Sequence, residues 1–456
     1  MWPQPVLNLL AAAGDRPVFE DGDRVVSAAV MSAMIRRCAA GLRARGIGPR
    51  DGVLFQVGVH PEAFAGILAA FTVGARVACV RADQVAEVLP GACAVLIDEA
   101  ALAELAGHPD DGAGLVAAGR PGDYARVIYT SGSTGTPKGC CQTYAAMTAG
   151  WAAHPNRWPP AVRALAARLD RYLVFGSLTS QVMLEYGVLT LAAGGTLVAA
   201  HPPAFPEAFA KHRATASVIT VGRLHQLVRD QRARPADLST LRALMVSGSP
   251  LDPGRLAEAI DVLGPVIFHG YGQTETGMIS MVTPDEFPAA LDTVGRPAVR
   301  VEVRDGEVYA RTPAQASSYW NDPAGSAEVF LDGWVRTRDL GTLGADGYLR
   351  LTGRARDVIF VHAELVHAGP IERLLAAHPD VAEAYVVARP DDETGEAPHA
   401  FVVPAAGRRP DPRELRELVT GPGRPRTVTV IDRVPVAPSG KPDKDALRRL
   451  GQKTPL

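Results

Sequence analysis

Apolar residues Met31, Met34, Ile35, Cys38 and Leu42 recur at helical spacing, with Ser27 placed to cap the N-terminus and Gly46 to stop the helix. Beyond it the pattern turns strand-like over 53–57, forms a small-residue helix over 63–71, and returns to strands over 76–80 and 94–97. That alternation predicts βαβ units and a mainly parallel sheet. Over 301–311 two short alternating runs flank Asp305-Gly306, a dipeptide suited to a tight hairpin, so a small antiparallel part is expected there. After Gly353 the cycle shortens: strand 358–361, helix 371–377, strands 381–388 and 400–403, a helix capped by Asp411 and Pro412, strand 427–431 and helix 444–450. The stretch 421–425 reads as a loop within this unit. The expected architecture is α/β, with a large domain over 1–353, mainly parallel, and a small α+β domain over 354–456.

Composition narrows the function classes. A chain of 456 residues with 47% hydrophobic and 21% charged residues supports several buried cores and excludes a disordered chain. Lys+Arg of 47 against Asp+Glu of 49 leaves a formal charge of -2, so no electrostatic reason favours nucleic acid or an anionic membrane over a small molecule. The five cysteines, Cys38, Cys79, Cys93, Cys140 and Cys141, lack metal or redox spacing and read as buried reduced thiols. The N-terminus has no basic region, and the apolar run over 63–80 is broken by Gly66, Gly74 and Arg76, so a cytoplasmic location without a membrane span is expected. Only Lys138, Lys211, Lys441, Lys444 and Lys453 are lysines, which makes each lysine informative.

Candidate chemistry concentrates in five segments. Tyr129-Thr-Ser-Gly-Ser-Thr-Gly-Thr-Pro-Lys-Gly139 follows a strand-like run and gathers Thr130, Ser131, Gly132, Ser133, Thr134, Gly135 and Lys138. Glycine N–H groups, hydroxyls and one cation in such a loop cradle phosphate, although the spacing is not that of a P-loop. In His269-Gly-Tyr-Gly-Gln-Thr-Glu-Thr-Gly277, Tyr271 suits stacking on a purine, Thr274 donation to a phosphate and Glu275 a Mg²⁺ ion. Downstream, Asp339 suits ribose hydroxyls, Arg354 and Asp357 fall at the apparent domain boundary, and Lys441 sits in a polar loop.

These segments, in this order and over most of the chain, resemble the adenylate-forming superfamily of acyl-CoA synthetases, nonribosomal peptide adenylation domains and luciferases. The resemblance implies that Gly248, Ser249 and Pro250 wall the adenine pocket opposite Tyr271 and Gly272. It further implies that Asp339 holds the ribose, Glu275 the magnesium, and Asp357 the hinge of a mobile C-terminal lid. ATP and Mg²⁺ are then the implied cofactors. The implied reaction forms an acyl-adenylate from a small carboxylic acid, with Lys441, Glu275 and Thr274 catalytic. Lys444, Lys211 and Lys453 read as solvated charges.

Departures from the family pattern bear on the substrate. Thr179 stands where many acyl-CoA synthetases have a pocket histidine, and Ser180 where peptide synthetase domains anchor the α-amino group. Glu185 matches a glutamate common in the peptide synthetase type and leaves an amino-bearing substrate open, beside a plain helix carboxylate. Arg223 suits a second carboxylate or solvent, and His225 reads as packing or surface. The substrate pocket is therefore expected around Thr179, Ser180, Arg223, Gly248 and Gly272. Ala363 replaces a glycine that admits pantetheine, and Ala368 and Pro370 replace the usual Pro and Glu. The expected acceptor is a pantetheine thiol, on CoA or a separate carrier protein. An amine acceptor, a freestanding amino acid adenylation enzyme and a non-catalytic nucleotide-binding regulator are the alternatives.

Overall fold

A computed structural model describes residues 1–79, 95–130, 138–174, 176–201, 204–248, 251–355, 357–362, 364–436 and 442–450. The first predicted helix forms over Ala28–Ala44, where the Ser27 side chain accepts from the Val30 N–H at 3.3 Å and Met31, Met34, Ile35, Cys38 and Leu42 are all buried. Gly46 follows at φ 73, the left-handed turn that ends the helix.

Two largely parallel sheets organise most of the chain. Pro17–Asp21, Thr196–Ala199, Arg171–Val174, Ala216–Thr220, Ala243–Ser247 and Ile267–Gln273 run parallel as neighbours in a nine-stranded sheet, with antiparallel strands at both edges. A six-stranded sheet pairs Val95–Ile97, Gly52–Phe55, Arg76–Cys79 and Tyr124–Thr130 in parallel, then adds Lys138–Thr143 and Ser318–Tyr319 antiparallel. Helices Ala28–Ala44, Pro61–Thr72 and Gln181–Ala192 contribute to one continuous core with residues of both sheets, including Phe19, Phe64, Phe71, Tyr144 and Tyr172. The predicted hairpin joins Arg300–Arg304 to Glu307–Arg311, with Asp305 at φ 49 and Gly306 at φ 79 as a two-residue turn requires. It belongs to an antiparallel sheet completed by Trp334–Leu343, Phe330–Leu331 and Leu349–Arg354.

The fourth sheet is built from Val358–Val361, Glu364–His367, Val381–Asp391, Gly395–Pro404 and Thr427–Val430. Its core, with Ile359, Leu375, Val386, Val402 and Leu415, draws all its buried members from residues 359–419. Arg354 pairs with Asp339 in the third sheet, and Val358 opens the fourth. Cys38, Cys140 and Cys141 are buried free thiols, and burial pushes Cys38 up to about 12. The Cys79 side chain and Cys93 lie outside the described residues. Among the described residues no helix is long and apolar enough to cross a membrane.

Candidate active site

The strand Ile267–Gln273 carries Tyr271 into the interior, and the inward-facing positions of Trp334–Leu343 are Val335, Thr337, Asp339 and Gly341. The two meet at the Asp339 carboxylate. Tyr271 donates its hydroxyl to Asp339 Oδ2 at 2.7 Å, Gln273 Nε2 donates to the same oxygen at 2.6 Å, and the exposed Arg354 donates Nε to Oδ1 at 3.1 Å. Burial raises the Tyr271 phenol well above its ordinary range, and the neighbouring Asp339 adds to the shift, so the hydroxyl stays a donor. Arg338, just before Asp339, takes φ 60, a conformation that costs a non-glycine residue roughly 1–2 kcal/mol. His269, at the buried end of the strand, is held neutral, its pKa pushed down to about 4 by burial.

A second group lies where the chain turns out of this strand. Tyr319 donates its hydroxyl to Glu275 Oε1 at 2.7 Å, and its ring lies 5.1 Å beneath Lys138 Nζ. Lys138 also donates to Asp322 Oδ2 at 2.8 Å. Backbone bonds from Ala316 N to Glu275 O and from Trp320 N to Gly139 O lash this segment to both flanking loops. Gln273, Tyr319 and Asp322 carry this arrangement without having been read from the sequence. Ser318–Tyr319 is a two-residue strand, too short to show any period.

Beside these groups opens a cavity of about 310 Å³. Gln181, Leu184, Glu185 and Val188 line it at i, i+3, i+4 and i+7 of one helix face, and Arg126, Trp151 and Met278 close other sides. Burial pushes Glu185 up to about 7 against the lowering influence of Arg126. Arg126 itself donates to the Gln142 side chain.

None of the residues expected to form the acid pocket lines this cavity. Thr179 is buried in a tight turn with its hydroxyl 2.7 Å from Ser177 Oγ. Ser180 spends its hydroxyl capping the helix, accepting from Met183 N at 3.2 Å, so the positions one turn further on reach the cavity instead. Arg223 is exposed on another surface beside Gln226. Gly248 and Gly272 serve as backbone: Gly248 adopts φ 100, and a Cβ on Gly272 would sit 2.3 Å from the Gly277 carbonyl oxygen. Thr274 is half-buried beside Glu275. Ser131, Gly132, Ser133, Thr134, Gly135, Ser249, Pro250, Ala363, Lys441 and Lys453 lie outside the described residues, as does the Thr130 side chain.

Two further expectations are corrected. Lys444 is not a solvated charge: Nζ lies 2.6 Å from Asp357 Oδ2 and 2.9 Å from Glu372 Oε1, because its short helix docks against the Asp357 segment. His225 is neither plain packing nor free surface, since its Nδ1 lies 3.6 Å from Glu383 on the fourth sheet. Lys211 is exposed.

The donor set fits a nucleotide. Asp339 is an acceptor held in place by three donors, and Glu275 is a hard-oxygen ligand of the kind Mg²⁺ takes together with phosphate oxygens and water.

Comparison with known proteins places the chain. The sequence profile for AMP-binding enzymes matches residues 81–320, and that for the AMP-binding enzyme C-terminal domain matches 370–441. An indoleacetate–CoA ligase of Aromatoleum aromaticum is 33% identical over 348 residues, 71% of this chain and 66% of that ligase's length. A feruloyl-CoA synthase of Amycolatopsis sp is 31% identical over 94% of both chains. The solved structure of the amide bond synthetase McbA from Marinactinospora thermotolerans superposes with a TM-score of 0.84 at 31% identity, covering 98% of this chain and 99% of McbA. The chain belongs to the AMP-binding enzyme family, within the adenylate-forming superfamily.

Proposed function

We propose that the chain is an ATP-dependent, AMP-forming ligase that activates a small carboxylic acid as its acyl-adenylate. The observation that carries this reading is the meeting of Tyr271, Gln273 and Arg354 on Asp339, next to the Lys138–Tyr319–Glu275 group and the cavity lined by Glu185. In this reading Asp339 accepts from the ribose hydroxyls and Tyr271 flanks the adenine. Lys138 and the loop 130–135 hold phosphate oxygens, and Glu275 with Thr274 orients the phosphate and its Mg²⁺, which supplies charge neutralisation. A carboxylate oxygen of the acid attacks the α-phosphorus, the bond from that phosphorus to the bridging oxygen breaks, and pyrophosphate leaves with the electron pair.

Lys441 is assigned the charge stabilisation of that step. Residues 1–353 form the body of the enzyme and 354–456 a lid hinged near Asp357. The second half-reaction transfers the acyl group to a thiol or an amine. A pantetheine thiol, on CoA or a separate carrier protein, follows from the names of the CoA-ligase relatives, whereas the likeness to McbA across 98% of the chain favours an amine. Ala363, in place of the glycine expected along the pantetheine route, favours the amine as well.

Exchange of labelled pyrophosphate into ATP across a panel of carboxylic acids tests the activation step. Acid-dependent exchange is expected, and Lys441→Ala should lower it by on the order of a hundredfold while ATP binding persists. Demonstrable ATP binding with no exchange from any acid would return the chain to the nucleotide-binding regulator class. Incubating a preformed adenylate with CoA, a phosphopantetheinylated carrier or simple amines, followed by mass spectrometry, identifies the acceptor.

A further inference from the structure

The cavity beside Asp339 and Glu275 has one feature that acid activation does not use. Glu185 projects into it from the helix Gln181–Ala192, and among the described residues no hydrogen bond reaches its carboxyl group. A half-buried carboxyl group on a cavity wall without a partner is costly, because part of its solvation is lost and no hydrogen bond from the described residues replaces it. The neighbouring polar groups of the wall are turned elsewhere. Arg126, the nearby cation, is turned to the Gln142 side chain, and Gln142 in turn donates to the Ala314 carbonyl. Leu184, Val188, Met147, Met278 and Trp151 are apolar or nearly so.

We infer that, if the ligase reading holds, the acid substrate carries a neutral hydrogen-bond donor, a ring N–H or an O–H, in addition to its reacting carboxyl group, and that Glu185 accepts this hydrogen. The donor is neutral because the charged side chains lining the cavity already comprise Arg126 and Arg157 against the single carboxylate of Glu185. An ammonium group would add a third cation. A second carboxylate on the substrate would face Glu185 directly, with the guanidinium of Arg126 already engaged. The volume, about 310 Å³, and the indole and thioether surfaces of Trp151, Met147 and Met278 suit one flat ring system. The raised pKa of Glu185 agrees with this assignment, since it marks a carboxyl group whose charge the protein itself leaves poorly stabilised.

Matched pairs of acids test the inference. Pyrophosphate exchange is measured with indole-3-acetate against 1-benzothiophene-3-acetate and with 4-hydroxycinnamate against 4-methylcinnamate, adding 4-(aminomethyl)benzoate and terephthalate as charged comparisons. The donor-bearing member of at least one pair should exceed its isostere by tenfold or more in kcat/KM, because a site built to accept a hydrogen bond discriminates strongly against a ligand that lacks it. Glu185→Leu should abolish or reverse that preference. Glu185→Gln, which retains an acceptor oxygen, should keep most of it and serves as the control for a folded pocket. Equal rates within both pairs, or preference for the ammonium or dicarboxylate acid, would overturn the inference while leaving the ligase reading intact. No exchange with any acid would overturn that reading and this inference with it.

Discussion

Burial dominates the chemistry of single residues in this molecule, and Glu185 shows the consequence for stability. Its pKa rises from the ordinary 4.5 to about 7, opposed only by Arg126, with Arg157 at the cavity rim and Tyr186 next to it on the helix. The folded protein therefore holds a proton between those two values that the unfolded chain has released. Stability from this group is complete below pH 4.5, declines as pH rises to 7, and is flat above. The difference amounts to about 3 kcal/mol at 1.36 kcal/mol per pH unit. Glu185→Gln, which carries no charge, should be more stable than the parent at pH 8 by up to that amount, with the gap closing toward pH 4.5. Urea unfolding of both proteins between pH 4.5 and 8 measures it; a gap independent of pH would remove Glu185 from the list of strained groups.

At the scale of elements, short pieces are held by what they touch rather than by their own propensity. The helix Lys444–Arg449 has six residues, too few to persist alone in water. It is fixed by Leu447, fully buried beside Val387 and Phe401, by Arg389 donating to the Leu447 carbonyl at 2.9 Å, and by Lys444 between Asp357 and Glu372. Burial works against the Lys444 charge, but the two carboxylates outweigh it and raise its pKa, so the ion pairs persist at neutral pH and are lost only above the usual lysine range. Lys444→Ala leaves two half-buried carboxylates without their cation and should cost about 1–3 kcal/mol. It should also lower pyrophosphate exchange several-fold, since Lys441 lies three residues upstream. Denaturant unfolding and exchange rates check both, and unchanged values in each would restore Lys444 to the solvated surface.

The same elements show what the sequence disclosed and what it hid. The helix Ala28–Ala44 and the Asp305-Gly306 hairpin were legible because their signals are local: a 3.6-residue period with a cap, and a dipeptide whose two residues tolerate the positive φ of the required turn. Tyr271, Glu275 and Asp339 were named through the family pattern, and the structure bonds Tyr271 to Asp339 and Tyr319 to Glu275. The role of Lys444 was not legible, since its partner Asp357 is 87 residues away. The engagement of the two hydroxyls expected in the pocket was not legible either: Ser180 caps the helix through Met183 N, and Thr179 lies 2.7 Å from Ser177 Oγ, local bonds that a family pattern does not show.

Across the whole molecule, the fourth sheet meets the nine-stranded-sheet layer through polar contacts. Arg255 donates Nε to the Ala382 carbonyl and a guanidinium nitrogen to that of Val381, both at 3.2 Å, and is itself braced by Glu258 at 2.7 Å. His225 approaches Glu383, whose other oxygen accepts from Tyr385 at 2.8 Å. Burial alone would raise Glu383, but His225 and Tyr385 outweigh it and hold its carboxyl below the usual range. Bonds to backbone carbonyls fix one orientation, while the buried core of the fourth sheet draws its members from residues 359–419; under the proposed lid reading these bonds are the contacts to be made and released. Arg255→Ala removes two of these bonds while leaving the core around Leu375 and Val402 untouched. Trypsin cleavage between residues 354 and 357 should then accelerate several-fold, and the main unfolding transition should move by no more than about 0.5 kcal/mol. His225→Ala should act in the same direction and less than additively with Arg255→Ala, because both side chains hold the same strand start at 381–383. Cleavage at the parental rate in the double variant would mean that other contacts hold the C-terminal part in place, and the lid proposal would lose its release point.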